Sequence, residues 1–145
     1  MVGRALVSAP FKSATVELRL LDETFAIARL GADQAVPTWV GGNDLLAVVR
    51  TRRELSIVCR DDAVPATHAE VQRNFRGFAV IGTLDFTQTG IIADLARPLA
   101  DAGISIFSIS TYDTDHILVR ADQLEPAQSA LRAAGHTFRE DRAPT

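Results

Sequence analysis

Lysine is almost missing from this chain. Lys12 is the single one, so nearly all of the positive charge is arginine, scattered without a basic stripe. With 18 acidic residues against 15 basic ones the net charge is −3. A protein that grips a phosphate backbone concentrates cations on one face, so nucleic acid is not an expected partner. Cys59 is the only cysteine, which excludes an internal disulfide and a cysteine-built zinc site. Its place in the apolar run 55–59 marks a core thiol rather than a nucleophile. Of the three histidines, His68, His116 and His136, no two have the close helical spacing of a metal pair. No apolar run approaches the roughly 18 residues of a membrane span. Residues 1–16, MVGRALVSAPFKSATV, carry no sustained apolar core of a cleaved signal. The expectation is a soluble, cytoplasmic protein without membrane contact. Glycine-rich phosphate loops, nucleophile elbows and paired carboxylates are also lacking, so neither an enzyme nor a bound cofactor is expected.

What remains is ordinary globular material. At 145 residues and 47% hydrophobic content, the chain fits one compact domain or two small subdomains sharing a core. The runs VELRLL (16–21) and FAIARL (25–30), with Asp22, Glu23 and Thr24 between them, read as a strand pair. Residues 31–43 hold Pro37, Trp39, Gly41 and Gly42 and read as a loop. The runs 45–50 and 54–59 flank a polar turn and read as a hairpin. Residues 61–76 carry Pro65, three acids and few large apolar groups, and read as a linker. A strand reopens at 78–81, followed by a polar loop at 83–89.

The second half is more strongly patterned. Ile91, Leu95 and Leu99 share one face of a helix from about 89 to 102, with Thr87 or Thr89 as its cap and Gly103 closing it. Pro98 inside this helix removes the hydrogen bond to Asp94 and should kink the axis. Strands at 104–109 and 114–119, a helix at 124–134 closed by Gly135, and an edge strand at 137–139 complete the chain. An internal repeat links the halves: shifted by sixty positions, LAVVRTRRELSIVC (46–59) overlays IFSISTYDTDHILV (106–119), with Thr51 on Thr111 and Ile57 on Ile117. Each copy reads as strand, polar turn, strand.

Two positions invite a ligand. Gly90 and Ile91 open a helix, whose unpaired N–H groups and dipole suit a carboxylate or phosphate, though every helix start has such groups and an ordinary cap is the alternative. Asp115 alternates onto the face of Ile117 and Val119, where a carboxylate needs a cationic or donor partner. A bound amine or guanidinium, a neighbouring arginine, an exposed strand start and a turn-shaping role are all open for it. Asp113 fits the turn better. His116 falls on the opposite face and reads as a structural hydrogen-bonding residue. Trp39 and Phe86 read as pocket walls or as plugs of a core edge.

The stretches TGIIADLARPLADAGISIF (89–107) and STYDTDHILV (110–119) resemble an ACT domain, the small βαββαβ regulatory module. LDETFAIARL, PTWV and RTRRELSIVC resemble the first half of tandem ACT proteins related to aspartokinase regulatory domains and to CASTOR-type amino-acid sensors. The resemblance covers about residues 15–140. It implies an α+β fold of two ferredoxin-like ACT subdomains with antiparallel sheets: an irregular N-terminal one at 15–65, a linker at 61–76, and a C-terminal one at 77–140. It also implies non-catalytic binding of a free amino acid between ACT units. The ligand carboxylate would rest on Gly90 and Ile91, its cationic part on Asp115. Thr111 matches the motif threonine, and Ser56 with the Ile57 backbone would face the ligand from the other unit. A homodimer and a separate regulated protein are the implied partners. The alternative is a structural, oligomer-forming ACT module without a small ligand.

Overall fold

The computed structural model describes residues 15–82 and 90–140. The elements are β1 (Glu17–Leu20), β2 (Phe25–Leu30), β3 (Ala47–Arg50), β4 (Leu55–Arg60), β5 (Val71–Val80), α1 (Ile91–Asp101), β6 (Phe107–Ser110), β7 (Asp115–Arg120), α2 (Leu124–Ala133) and β8 (Thr137–Arg139). The strands form one mixed, mostly antiparallel sheet of eight. Among the described residues, two α-helices and eight strands make the fold α+β.

β5 organises the sheet because both of its edges are paired. Along one edge runs β7, from Phe75 opposite Arg120 to Ala79 opposite His116. Along the other, β1 and β2 lie end to end: Leu20 meets Phe78, and Phe25 meets Phe75. The hairpin expected from 16–21 and 25–30 is therefore absent, since neither strand pairs with the other. The reason is local. The Glu23 carboxylate accepts the N–H groups of Asn43 and Asp44 at 2.9 and 2.8 Å, and Asp44 Oδ2 accepts the Glu23 N–H at 2.8 Å. This reciprocal clasp holds residues 21–24 as a jog in one long strand instead of a reversal.

The segment expected as a linker also differs. Residues 61–63 form a 3-10 turn, and Val71 to Arg76 are the first part of β5. Their polarity misleads because that part of the strand is half exposed, and long-range pairing with β2 stabilises it. At Asn74 the strand bulges, with φ 61°, and the register against β2 shifts. Asp61 holds the bulge: Oδ2 accepts the Asn74 N–H at 2.7 Å, and Oδ1 accepts from Arg73 Nη1 at 2.9 Å.

In the second half the order β5-α1-β6-β7-α2-β8 is βαββαβ. The sheet departs from a four-stranded ferredoxin-like one, however. β1, assigned to the N-terminal subdomain on sequence grounds, lies between the first and last strands of this set, antiparallel to β5 and parallel to β8. In the first half β3 and β4 form the expected hairpin, and residues 31–46 form no α-helix. The two hairpins match pair for pair at the sixty-residue offset. Ala47 faces Val58 as Phe107 faces Leu118, and Arg50 faces Leu55 as Ser110 faces Asp115. The turns match too: the Thr51 N–H donates to Glu54 O at 2.9 Å, the Thr111 N–H to Thr114 O at 2.8 Å.

Alternation splits the apolar side chains into three clusters. Ile91, Leu95 and Leu99 of α1 and Ala127 and Leu131 of α2 cover Phe78, Val80, Ile117 and Val119. On the opposite face, Phe25, Phe75, Leu118 and Val58 gather with Ala47, Phe107 and Ile109. In the first half, Ala26, Ala28, Leu55, Ile57 and Cys59 are covered by Val64, Trp39 and Val40. Cys59 is fully buried there, and burial pushes its thiol above the ordinary range.

Candidate ligand site

α1 begins from Gly90, which sits at φ 83°, a left-handed backbone that glycine adopts without strain. Its carbonyl accepts the first helical bond, from the Asp94 N–H at 2.8 Å. The Gly90 and Ile91 N–H groups precede that ladder, so the helix entry offers donors and the positive end of the dipole. The expected caps Thr87 and Thr89, the loop 83–89 and Phe86 lie outside the described residues.

Asp115 opens β7 directly opposite Ser110, and the Ser110 hydroxyl donates to its Oδ1 at 2.6 Å. The side chain is half-buried on the face of Ile117, the face that α1 covers. Ile91 packs in the same cluster as Ile117 and Val80. The turn before Asp115 is fixed by Thr111, whose hydroxyl donates to Thr114 O at 3.0 Å. Thr114 Oγ1 in turn donates to Val80 O at 2.8 Å, tying the hairpin mouth to the end of β5. Ile91 and the face of β7 that carries Asp115 thus belong to one layer, with Thr111 in the turn that leads into it.

Ser56 and Ile57 do not join them. Ser56 shares the face of Val58, on the side of the sheet away from the helices, where it borders a cavity of about 260 Å³ with Phe107 and Ile109. The Ile57 side chain is fully buried in the third cluster, and its main chain lies between β2 and β3. Ser110, the hydrogen-bond partner of Asp115, borders the same cavity as Ser56.

His116 points away from Asp115, as alternation requires, towards Leu118 and Ile109. Burial pushes its imidazole below the ordinary range, opposed by the Ile109 backbone and by Asp115 and reinforced by Arg19. Nδ1 is buried and has no hydrogen-bond partner among the described residues. His68 stacks obliquely on Trp39, 5.9 Å between ring centres, and its Nε2 lies 3.0 Å from Arg29 O. Trp39 therefore belongs to the first-half core. Among the described residues no cluster of His, Cys, Asp or Glu could hold a metal ion, and no helix is long and apolar enough to cross a membrane.

A layer of two helices against one face of a βαββαβ sheet defines a small α+β domain. Comparison with known proteins makes this specific. Residues 70–133 match the model of the ACT domain, and residues 23–67 match a model described as an N-terminal domain. The chain belongs to the ACT-domain family. It is similar to protein Atu0741 from Agobacterium tumefaciens, whose crystal structure aligns at 37% identity over 90% of this chain and 96% of that one, with a TM-score of 0.83. Protein VC0802 from Vibrio cholerae, of unknown function and described as a possible transport protein, aligns at 22% identity over 83% and 90%, with a TM-score of 0.65. The regulatory subunit of aspartate kinase from Thermus flavus shares the fold at 14% identity, over 85% of this chain and 99% of that one, with a TM-score of 0.58. No curated protein matches the sequence.

Two residues with chemistry to offer escaped the sequence reading, Arg120 and Phe107. Both border the same cavity beside Phe75. The one available signal was the sixty-residue offset, which sets Arg120 against Arg60.

Proposed function

We propose that this chain is a non-catalytic regulatory protein that binds a free amino acid at an interface between ACT-type units, two of which it carries in tandem. The observation that carries this reading is the state of Asp115. Its carboxylate is half-buried in the layer entered by Gly90 and Ile91, and among the described residues Ser110 is its only hydrogen-bond partner. A carboxylate so placed favours a cationic partner, which a ligand ammonium or basic side chain supplies. The N–H groups of Gly90 and Ile91 take the ligand carboxylate. Ser56 and Ile57 would complete the site from the facing strand of another ACT unit, supplied by a second copy. That makes a homodimer the ligand-binding form. A division into two units is supported by the two family models, which cover residues 23–67 and 70–133, and by the matching hairpins. A separate chain would be the regulated partner, in the cytoplasm.

The second reading, an oligomer-forming module without a small ligand, draws on β3. This edge strand leaves Val48 and Val49 at 40% and 55% exposure, with Leu46 just before it at 45%, an apolar border suited to pairing. A thermal-shift panel with the proteinogenic amino acids separates the two. A rise in Tm with one or a few of them, lost in Asp115→Ala, is expected of the sensor, because a ligand bound only to the folded state stabilises it by mass action. A flat panel with an unchanged oligomeric mass would favour the module.

A further inference from the structure

Where β2 and β5 meet the segment that joins α1 to β6 lies a cavity of about 580 Å³, bordered by none of the ligand residues named above. Its size is within the range of small-molecule sites. Ile27, Phe75 and Phe107 form an apolar floor, and Gln72 and Gln123 offer amide groups at the rim. Among the described residues, Arg120 is the single charged one of the lining, and no acid joins it.

The disposition of Arg120 is informative because the chain holds its counterpart. Sixty residues earlier, Arg60 ends β4 as Arg120 ends β7, and each has an aspartate two positions on, Asp62 and Asp122. Arg60 turns onto Asp62 and pairs with it. Arg120 declines the same local partner. Its guanidinium lies 5.5 Å above the centre of the Phe75 ring, and Nη1 donates to Gln72 Oε1 at 3.3 Å. Arg29, Arg73 and Arg139 each pair with an acid, whereas no carboxylate among the described residues reaches Arg120. The aromatic face and the amide hold the fork at the mouth of the cavity with its charge uncompensated.

We propose that this cavity is a second binding site, for a small organic monocarboxylate with an apolar body, such as an arylalkanoate. The carboxylate would pair with Arg120 in charge-assisted hydrogen bonds, and the body would cover Ile27, Phe75 and Phe107. Among the described residues the lining holds nothing anionic to receive an ammonium group, so a free amino acid loses to its counterpart without the amine. That preference sets this site apart from the one around Asp115.

Titrating the isotope-labelled full chain with 3-phenylpropionate, and following backbone amides by NMR, tests the assignment. Saturable shifts at Gln72, Phe75, Phe107 and Arg120 are expected. Arg120→Gln, at an exposed position that leaves the core intact, should weaken binding by about tenfold or more, and the neutral 3-phenylpropanamide should fare equally badly. Asp115→Ala should bind the probe as the parent chain does. The proposal is overturned by absent shifts at those four amides into the millimolar range, by equal binding of acid and amide, or by undiminished binding to Arg120→Gln. Loss of binding in Asp115→Ala would place the probe at the other site and overturn it as well. Failure of amino-acid sensing would show in the thermal panel and leave this titration unaffected.

Discussion

His136 Nε2 lies 3.2 Å from the carbonyl oxygen of Asp94, the acceptor that Pro98 deprives of its helical N–H. On its other side, Nδ1 accepts the N–H of Val16 at 3.2 Å. These two contacts suit the tautomer that carries its hydrogen on Nε2. The ring is 3% exposed and joins α1, the end of α2 and the start of β1. A proline in a helix interior costs a hydrogen bond, and here a side chain from another element replaces it.

The coupling between these positions is measurable. His136→Ala should destabilise the fold by about 2–4 kcal/mol, combining a cavity with an orphaned carbonyl and an orphaned N–H. Pro98→Ala returns a backbone donor to Asp94, so His136→Ala should cost less in that background, by about 1 kcal/mol. Urea denaturation of the four proteins checks this. Strict additivity would show that the imidazole does not serve the proline gap.

Asp61 gives a second test. Its two oxygens hold Arg73 and the Asn74 N–H where β5 bulges. Asp61→Ala should lower stability by about 1–3 kcal/mol, because a charge-assisted pair and a strained backbone lose their support together. At Asn74, φ 61° makes glycine an acceptable replacement and valine a costly one. Thermal melts of Asn74→Gly and Asn74→Val should bracket the parent chain closely and far below, respectively.

The contrast between halves explains what the sequence could disclose. α1, α2 and the β6–β7 hairpin announce themselves because apolar period and terminal glycines agree, with Gly103 at φ 76° and Gly135 at φ 99° in their helix-ending places. The sixty-residue offset likewise follows from local pattern. Pairing choices do not. VELRLL and FAIARL are equally good as a hairpin or as two lengths of one strand, and only the Glu23–Asp44 clasp decides. Gln72, Arg73 and Asn74 look like linker because what keeps them extended is distant in sequence. At the candidate site, the relation of Ser110 to Asp115 follows from hairpin register. The sheet face on which Ser56 falls is settled only when β2 joins β5. Arg120 stayed hidden because its departure from the behaviour of Arg60 is a tertiary choice.

Gly77 is a packing constraint at the centre of the sheet. A Cβ there would lie 2.7 Å from Leu118 Cδ2, 3.2 Å from Leu21 Cδ1 and 3.3 Å from Phe25 Cε2. All three neighbours are fully buried, so none can swing into solvent. Gly77→Ala should destabilise by about 1–3 kcal/mol through overpacking, despite the better strand propensity of alanine. Gly77→Ala with Leu118→Val should recover part of that loss in the same denaturation assay. Failure of the smaller residue to help would mean the strain lies in the backbone.

His116 sets the acid side of the stability profile. Its imidazole is half-buried, and burial lowers its affinity for a proton below the ordinary value of 6.5. Between the depressed folded value and 6.5 the unfolded chain holds more protons at this residue than the folded one. The stability it contributes is therefore fully present above 6.5 and is lost as the pH falls through the folded value. His116→Phe removes this titration and retains an aromatic ring beside Leu118 and Ile109. Its stability should vary less with pH across that acid window than that of the parent chain. Urea midpoints measured at several pH values for both proteins decide the matter, and parallel profiles would place the acid sensitivity on other groups.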